Sequence, residues 1–89
     1  MTVSWQQANH TRTLIEAHDA LVQLSPGESA AASAWLTYHL RSAAVYDRIA
    51  EVDRGHHHEA LYWAARERRM AEAIRSGKPI PVADETGRW

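Results

Sequence analysis

The sequence has no cysteine and no phenylalanine. The first absence excludes disulfides and thiolate metal sites, so neither can reinforce a core that is thin at this size. A chain of 89 residues makes one domain, and such a domain buries only about 60–65% of its unfolded surface. No apolar run approaches the roughly 18 residues that a membrane span needs. The opening stretch MTVSWQQANH has neither the basic start nor the apolar centre of a signal peptide, so a soluble, cytoplasmic protein is expected. An excess of charge is also lacking. Ten Lys and Arg meet eleven Asp and Glu, which argues against a general electrostatic affinity for nucleic acid. The aromatic residues are four Trp and three Tyr, rings with polar tips that favour half-buried and interfacial positions.

Three helical segments follow from the patterning. Ser4 and Gln7 have the spacing of a capping box. Apolar positions then recur at Ala8, Leu14, Ile15, Leu21 and Val22, close to a 3.6-residue period, so a first helix is expected over residues 4–24. LSPGES supplies the next boundary. Ser25 suits an N-cap, Pro26 the first helical position and Glu28 the third, while Pro26 disfavours helical geometry at Ser25. A long central helix is therefore expected over residues 26–54. One of its stripes holds Ala31, Trp35, Tyr38, Ser42, Val45, Ile49 and Val52. A second, adjacent stripe holds Ala32, Leu36, His39, Ala43, Tyr46 and Ala50. Two stripes side by side imply two packing partners, and Thr37, Arg41, Arg48 and Glu51 are left for solvent. Gly55 fits a left-handed position after that helix. A third helix over residues 57–76 follows, with a weaker stripe of Ala60, Trp63, Met70 and Ile74 interrupted by Glu67. Gly77, Lys78 and Pro79 then provide its stop.

The expectation is an all-α, three-helix bundle: a long central helix flanked by two shorter antiparallel helices, in one domain over residues 1–78. An irregular C-terminal tail over residues 79–89 completes the chain. GHHHEAL resembles the turn of a tetratricopeptide repeat. However, Asp47, Arg48 and Glu51 stand where that repeat needs apolar residues, so a generic helical hairpin is the better reading.

Unequal helix lengths suggest that the stripe near Val45, Ile49 and Val52 is covered on one side only. Leaving three such side chains exposed forgoes about 1.5–3 kcal/mol each. Pairing of two chains along this stripe repairs the deficit, so a two-fold homodimer is expected. Trp35, Tyr38, Val45, Ile49 and Val52 are its interface candidates, with Trp63 and Trp89 as exposed anchors.

EVDRGHHHEALYW raises a separate possibility. Imidazole and carboxylate ligands suit Zn or Ni, so Asp53, His56, His57, His58 and Glu59 are candidate metal ligands. Consecutive residues on a helix splay by about 100°, however, and cannot all face one ion. A solvated polar turn that opens below about pH 6 is the competing reading. His18, His39 and Glu67 are polar residues on apolar stripes. A buried hydrogen bond from Glu67 to His39 or to Tyr46 is the economical explanation, because an unpaired buried charge is expensive. Arg66, Arg68, Arg69, Arg75 and Lys78 form a basic ridge that could meet DNA or RNA, but Glu67 and Glu72 are interleaved with it and Glu59 begins the same helix. No nucleophile–base pair, glycine-rich phosphate loop or paired-carboxylate motif is evident. The expected function is therefore a small, non-enzymatic, oligomerising protein–protein interaction module without a cofactor. A divalent-metal binder and a nucleic-acid-associated protein are the alternatives.

Overall fold

A computed structural model describes residues 2–77; Lys78 and the tail with Ile80, Val82 and Trp89 lie outside the described residues. The chain is all-α. Its helices are α1 (Trp5–Ala8), α2 (Leu14–Leu24), α3 (Ala32–Val52) and α4 (His57–Arg75), with a 3₁₀ turn (Arg54–His56) joining the last two. No strand occurs among the described residues.

The expected first helix is broken in two. The Ser4 hydroxyl accepts from the Gln7 amide and the Gln7 side chain accepts from the Ser4 amide, so the capping box forms as read. The helix it starts ends after Ala8, where the Thr11 hydroxyl donates to the Ala8 carbonyl. A second start lies at Thr13, whose hydroxyl accepts from the Glu16 amide at 3.1 Å, while the Glu16 carboxylate accepts from the Arg12 amide at 3.0 Å. Threonine with glutamate three residues on is itself a helix-start signal. The 3.6-residue pattern running through it conceals the break.

The central helix is also shorter than expected, beginning at Ala32 with no side-chain cap. Ser25 instead caps the end of α2 in an extended conformation (φ −60°, ψ 134°), as a residue before proline prefers. The local start signal at Ser25–Glu28 is real, but nothing tertiary supports it. Ser25, Gly27, Glu28, Ser29 and Ala31 are exposed and have no apolar face to bury, and Gly27 inside a helix costs about 1 kcal/mol.

After the turn, α4 packs against α3. His57 Nδ1 donates to the Ala50 carbonyl at 2.7 Å, and further along His39 meets Glu67. Ala43, Ala50, Ala60, Ala64 and Ala71 are buried, and their small side chains allow close approach of the helices. Leu14, Ala17, Ala20 and Leu21 of α2 close the core together with Val45, Tyr46 and Ile49 of α3. The ends of α2 are pinned to α3. The Leu14 amide donates to Asp53 Oδ2 at 2.9 Å, and the Tyr38 hydroxyl donates to the Leu21 carbonyl at 2.8 Å.

Four further readings need correction. Val45 and Ile49 are fully buried within their own chain, so the uncovered stripe that motivated a dimer does not exist; Val52 alone of that trio is exposed. Ile15 and Val22, read as core-facing, are 75% and 73% exposed, because α2 packs through Leu14, Ala17 and Leu21 instead. Arg48, assigned to solvent, is half-buried and donates to the Thr11 carbonyl. Gly55 does not take positive φ, since the connection is a 3₁₀ turn; among the described residues only Gly77 does, at 73°.

Candidate functional site

Beyond the core, α3 and α4 open into an apolar groove. Ala32, Trp35 and His39 follow one another on α3 at spacings of three and four. Glu67, Met70 and Ile74 do the same on α4. Such spacing keeps each set on one helix face. Ala32, Trp35, His39, Met70 and Ile74 line a groove of about 430 Å³, within the size range of small-molecule and side-chain pockets. Trp35 stacks on His39 with ring centroids 5.8 Å apart, and Tyr38 packs edge-on against Trp35 at 5.7 Å.

His39 is the polar member of that lining. It is 9% exposed, and Glu67 behind it is 7% exposed. His39 Nδ1 lies 2.7 Å from Glu67 Oε1, and Arg66 Nη1 lies 3.5 Å from the other carboxylate oxygen. A carboxylate oxygen accepts, so Nδ1 is the donor of this hydrogen bond. No hydrogen bond joins Nε2 to a described residue. The arrangement is a buried hydrogen-bonded pair of fixed geometry at the side of an apolar groove. It has no adjacent nucleophile among the groove-lining residues.

Tyr46, the other candidate partner of Glu67, bonds elsewhere. His18 Nδ1 lies 2.7 Å from the Tyr46 hydroxyl. Both rings pack with Trp63, at 5.0 Å from His18 and 6.2 Å from Tyr46. Trp63 is thus half-buried against the core rather than an exposed anchor. Burial pushes the Tyr46 hydroxyl well up, with the Glu67 carboxylate adding to the effect. Burial also lowers His18, opposed in part by Glu59 and Glu67.

The histidine turn is occupied by its own hydrogen bonds. His56 Nδ1 donates to Asp53 Oδ2 at 2.9 Å, and the same oxygen accepts from the Leu14 amide. His57 Nδ1 donates to the Ala50 carbonyl, while His58 and Glu59 are exposed. Asp53 is held below the ordinary carboxylate range, chiefly by the Leu14 amide and then by His56. Among the described residues no three His, Cys, Asp or Glu come together so as to hold a metal ion. The basic ridge is also largely engaged. Arg68 pairs with Asp47, Arg75 with Glu72 at 3.4 Å, and Arg66 lies over the Trp63 ring at 5.6 Å.

Trp35 and Tyr38 remain half-buried at the surface, whereas Val45 and Ile49 are enclosed. Met70 and Ile74 were legible as an apolar stripe, but not as groove walls. That distinction depends on α3 beginning only at Ala32, beside them. No helix among the described residues is long and apolar enough to cross a membrane. Compared with known proteins, the chain matches no family model, no curated protein and no solved structure.

Proposed function

We propose that the chain is a small, non-enzymatic helical module that binds another protein, with the groove between α3 and α4 as its docking element. In this reading α2 lies antiparallel against an α3–α4 hairpin and braces it, leaving the end of the hairpin furthest from the histidine turn to engage a partner. One observation carries the proposal: Trp35, Met70 and Ile74 wall an apolar groove that the described chain leaves open. Tryptophan is a frequent energetic anchor of interfaces, and methionine adapts to varied partners. The expected two-fold pairing is not carried forward, because Val45 and Ile49 are covered by their own chain. Nor is the metal reading, because among the described residues no three His, Cys, Asp or Glu come together so as to hold an ion.

The test is a photo-crosslinking residue at position 70 of the full chain, with position 51 on the solvated face as control. The crosslinked protein is then purified and its binding reconstituted. The proposal expects an adduct at position 70 alone and a Kd weakened at least tenfold by Trp35→Ala, as a ~1.4 kcal/mol loss implies. An absent adduct, or binding indifferent to Trp35→Ala, would overturn it.

A further inference from the structure

We infer that residues 80–85 of the chain's own tail lie along the groove and cover it until a partner displaces them. The inference rests on the docking reading above and adds a regulation of that site, self-cover by a named segment. It starts from the last described residue. Gly77, at φ 73°, donates its N–H to the Ile74 carbonyl at 3.2 Å. That bond belongs to a helix end whose following residues commonly pack back on the last helical turn. Ile74 is itself a wall of the groove. The tail therefore sets out from the groove's edge, and Ile80 stands three residues further on, within about 10 Å of extended chain.

The order of residues in the tail matches the order along α4. Arg66, Met70 and Ile74 recur every four residues, so they form one row with steps of about 6 Å. Pro79 and Pro81 fix their own φ and bias Lys78 and Ile80 toward extended backbone. Alternate residues of an extended chain are about 6–7 Å apart. Running back along α4, Ile80, Val82 and Asp84 then meet Ile74, Met70 and Arg66 in turn. The match is apolar on apolar twice and acid on base once. Glu85 adds a second negative charge near Arg66 and Arg69. Arg66 also serves Glu67 and Trp63, and its guanidinium has five N–H donors to share. The prolines help in two further ways. They bring no N–H that apolar walls would leave unsatisfied, and they restrict the free segment, so less entropy is lost on docking. A short tether holds the segment at an effective concentration on the order of millimolar, which favours the chain's own tail over a second copy.

The chain has no cysteine, so a pair introduced by substitution gives one defined crosslink. In the full chain, Met70→Cys/Val82→Cys should oxidise to a monomeric product about tenfold or more faster than Glu72→Cys/Val82→Cys. Position 72 is as near the tail as position 70 but lies on another face of α4. Met70→Cys/Thr86→Cys should lag as well, which tests the register. The dye anilinonaphthalene sulfonate separately reports open apolar surface. Ile80→Ser/Val82→Ser should bind it about tenfold more tightly than the native chain does. Equal oxidation at positions 70 and 72 would overturn self-cover and leave docking to its own crosslinking test. A product formed only between chains would overturn it in favour of a second copy. Equally fast closure from positions 82 and 86 would overturn the register. Strong and equal dye binding by the native chain and the serine variant would remove the tail from the groove but keep docking. Absence of dye binding in both, with no preference in oxidation, would sink both readings.

Discussion

His39 and Glu67 each stand where helical periodicity calls for an apolar side chain, and burial of either alone would be costly. Removing one leaves the other desolvated and without its best partner, whereas removing both leaves an ordinary apolar contact. His39→Leu and Glu67→Leu should each lower stability by about 2–3 kcal/mol. The double variant should lie closer to the native chain than either single one. Urea unfolding of the four proteins forms a cycle; simple additivity would show that the 2.7 Å contact carries no coupling. Glycine gives a second residue-scale test. Gly55 keeps negative φ with nothing within 4 Å of an added Cβ, while Gly77 sits at φ 73°. Gly55→Ala should therefore stabilise by about 0.4–1 kcal/mol, by restricting the unfolded chain. Gly77→Ala should destabilise, since a Cβ at that φ is strained. Thermal melts that moved in the same direction would contradict this assignment.

At the scale of elements, two helix starts compete for the same kind of signal. Thr13 caps α2 through the Glu16 amide, whereas the Ser25 hydroxyl donates to the Pro26 carbonyl and caps no helix start. Thr13→Ala should cost about 1 kcal/mol, and Ser25→Ala should stay within about 0.5 kcal/mol of the native chain. The reverse order in urea unfolding would mean that the long helix does begin at Ser25. The contrast also shows what the sequence can and cannot disclose. The capping box at Ser4, the course of α4 and the glycine stop at Gly77 were legible because local chemistry alone decides them. Residues 25–31 were misread because a sound local signal fails without a surface to pack on. The break at residues 9–13 was missed because Ala8 and Ile15, seven residues apart, keep helical phase across it. In the candidate site, the polar interruptions at His39 and Glu67 were visible as anomalies of pattern. The groove was not, since it exists only where the late start of α3 leaves Met70 and Ile74 half-buried.

For the molecule as a whole, two groups whose ionisation is altered by folding lie where α2 meets α3, and both weaken that contact on acidification. His18, on α2, is pushed below its ordinary value of 6.5 by burial, with Glu59 and Glu67 opposing. A depressed histidine favours folding while neutral. Its contribution is complete above pH 6.5 and is lost as pH falls through the folded value. Burial keeps the Tyr46 hydroxyl protonated, so it donates to His18 Nδ1, and protonation of His18 removes that acceptor. Asp53 acts lower on the scale. Its folded value lies below the ordinary 3.8 because its carboxylate receives the Leu14 amide and then His56. Its contribution is therefore present above the ordinary value and lost as pH falls through the lowered one. Acid should thus release α2 from the hairpin in two steps, one below pH 6.5 and one below pH 4. Amide hydrogen exchange between pH 7 and pH 2.5 can follow α2 and α4 separately, and α2 amides should lose protection first. His18→Phe keeps a ring against Trp63 and should flatten the upper step while leaving the lower one. Asp53→Asn should do the opposite, because an amide oxygen can still accept from Leu14 but does not titrate. Loss of protection in α2 and α4 together, at one pH, would instead mean that the brace and the hairpin form a single cooperative unit whose acid sensitivity lies elsewhere.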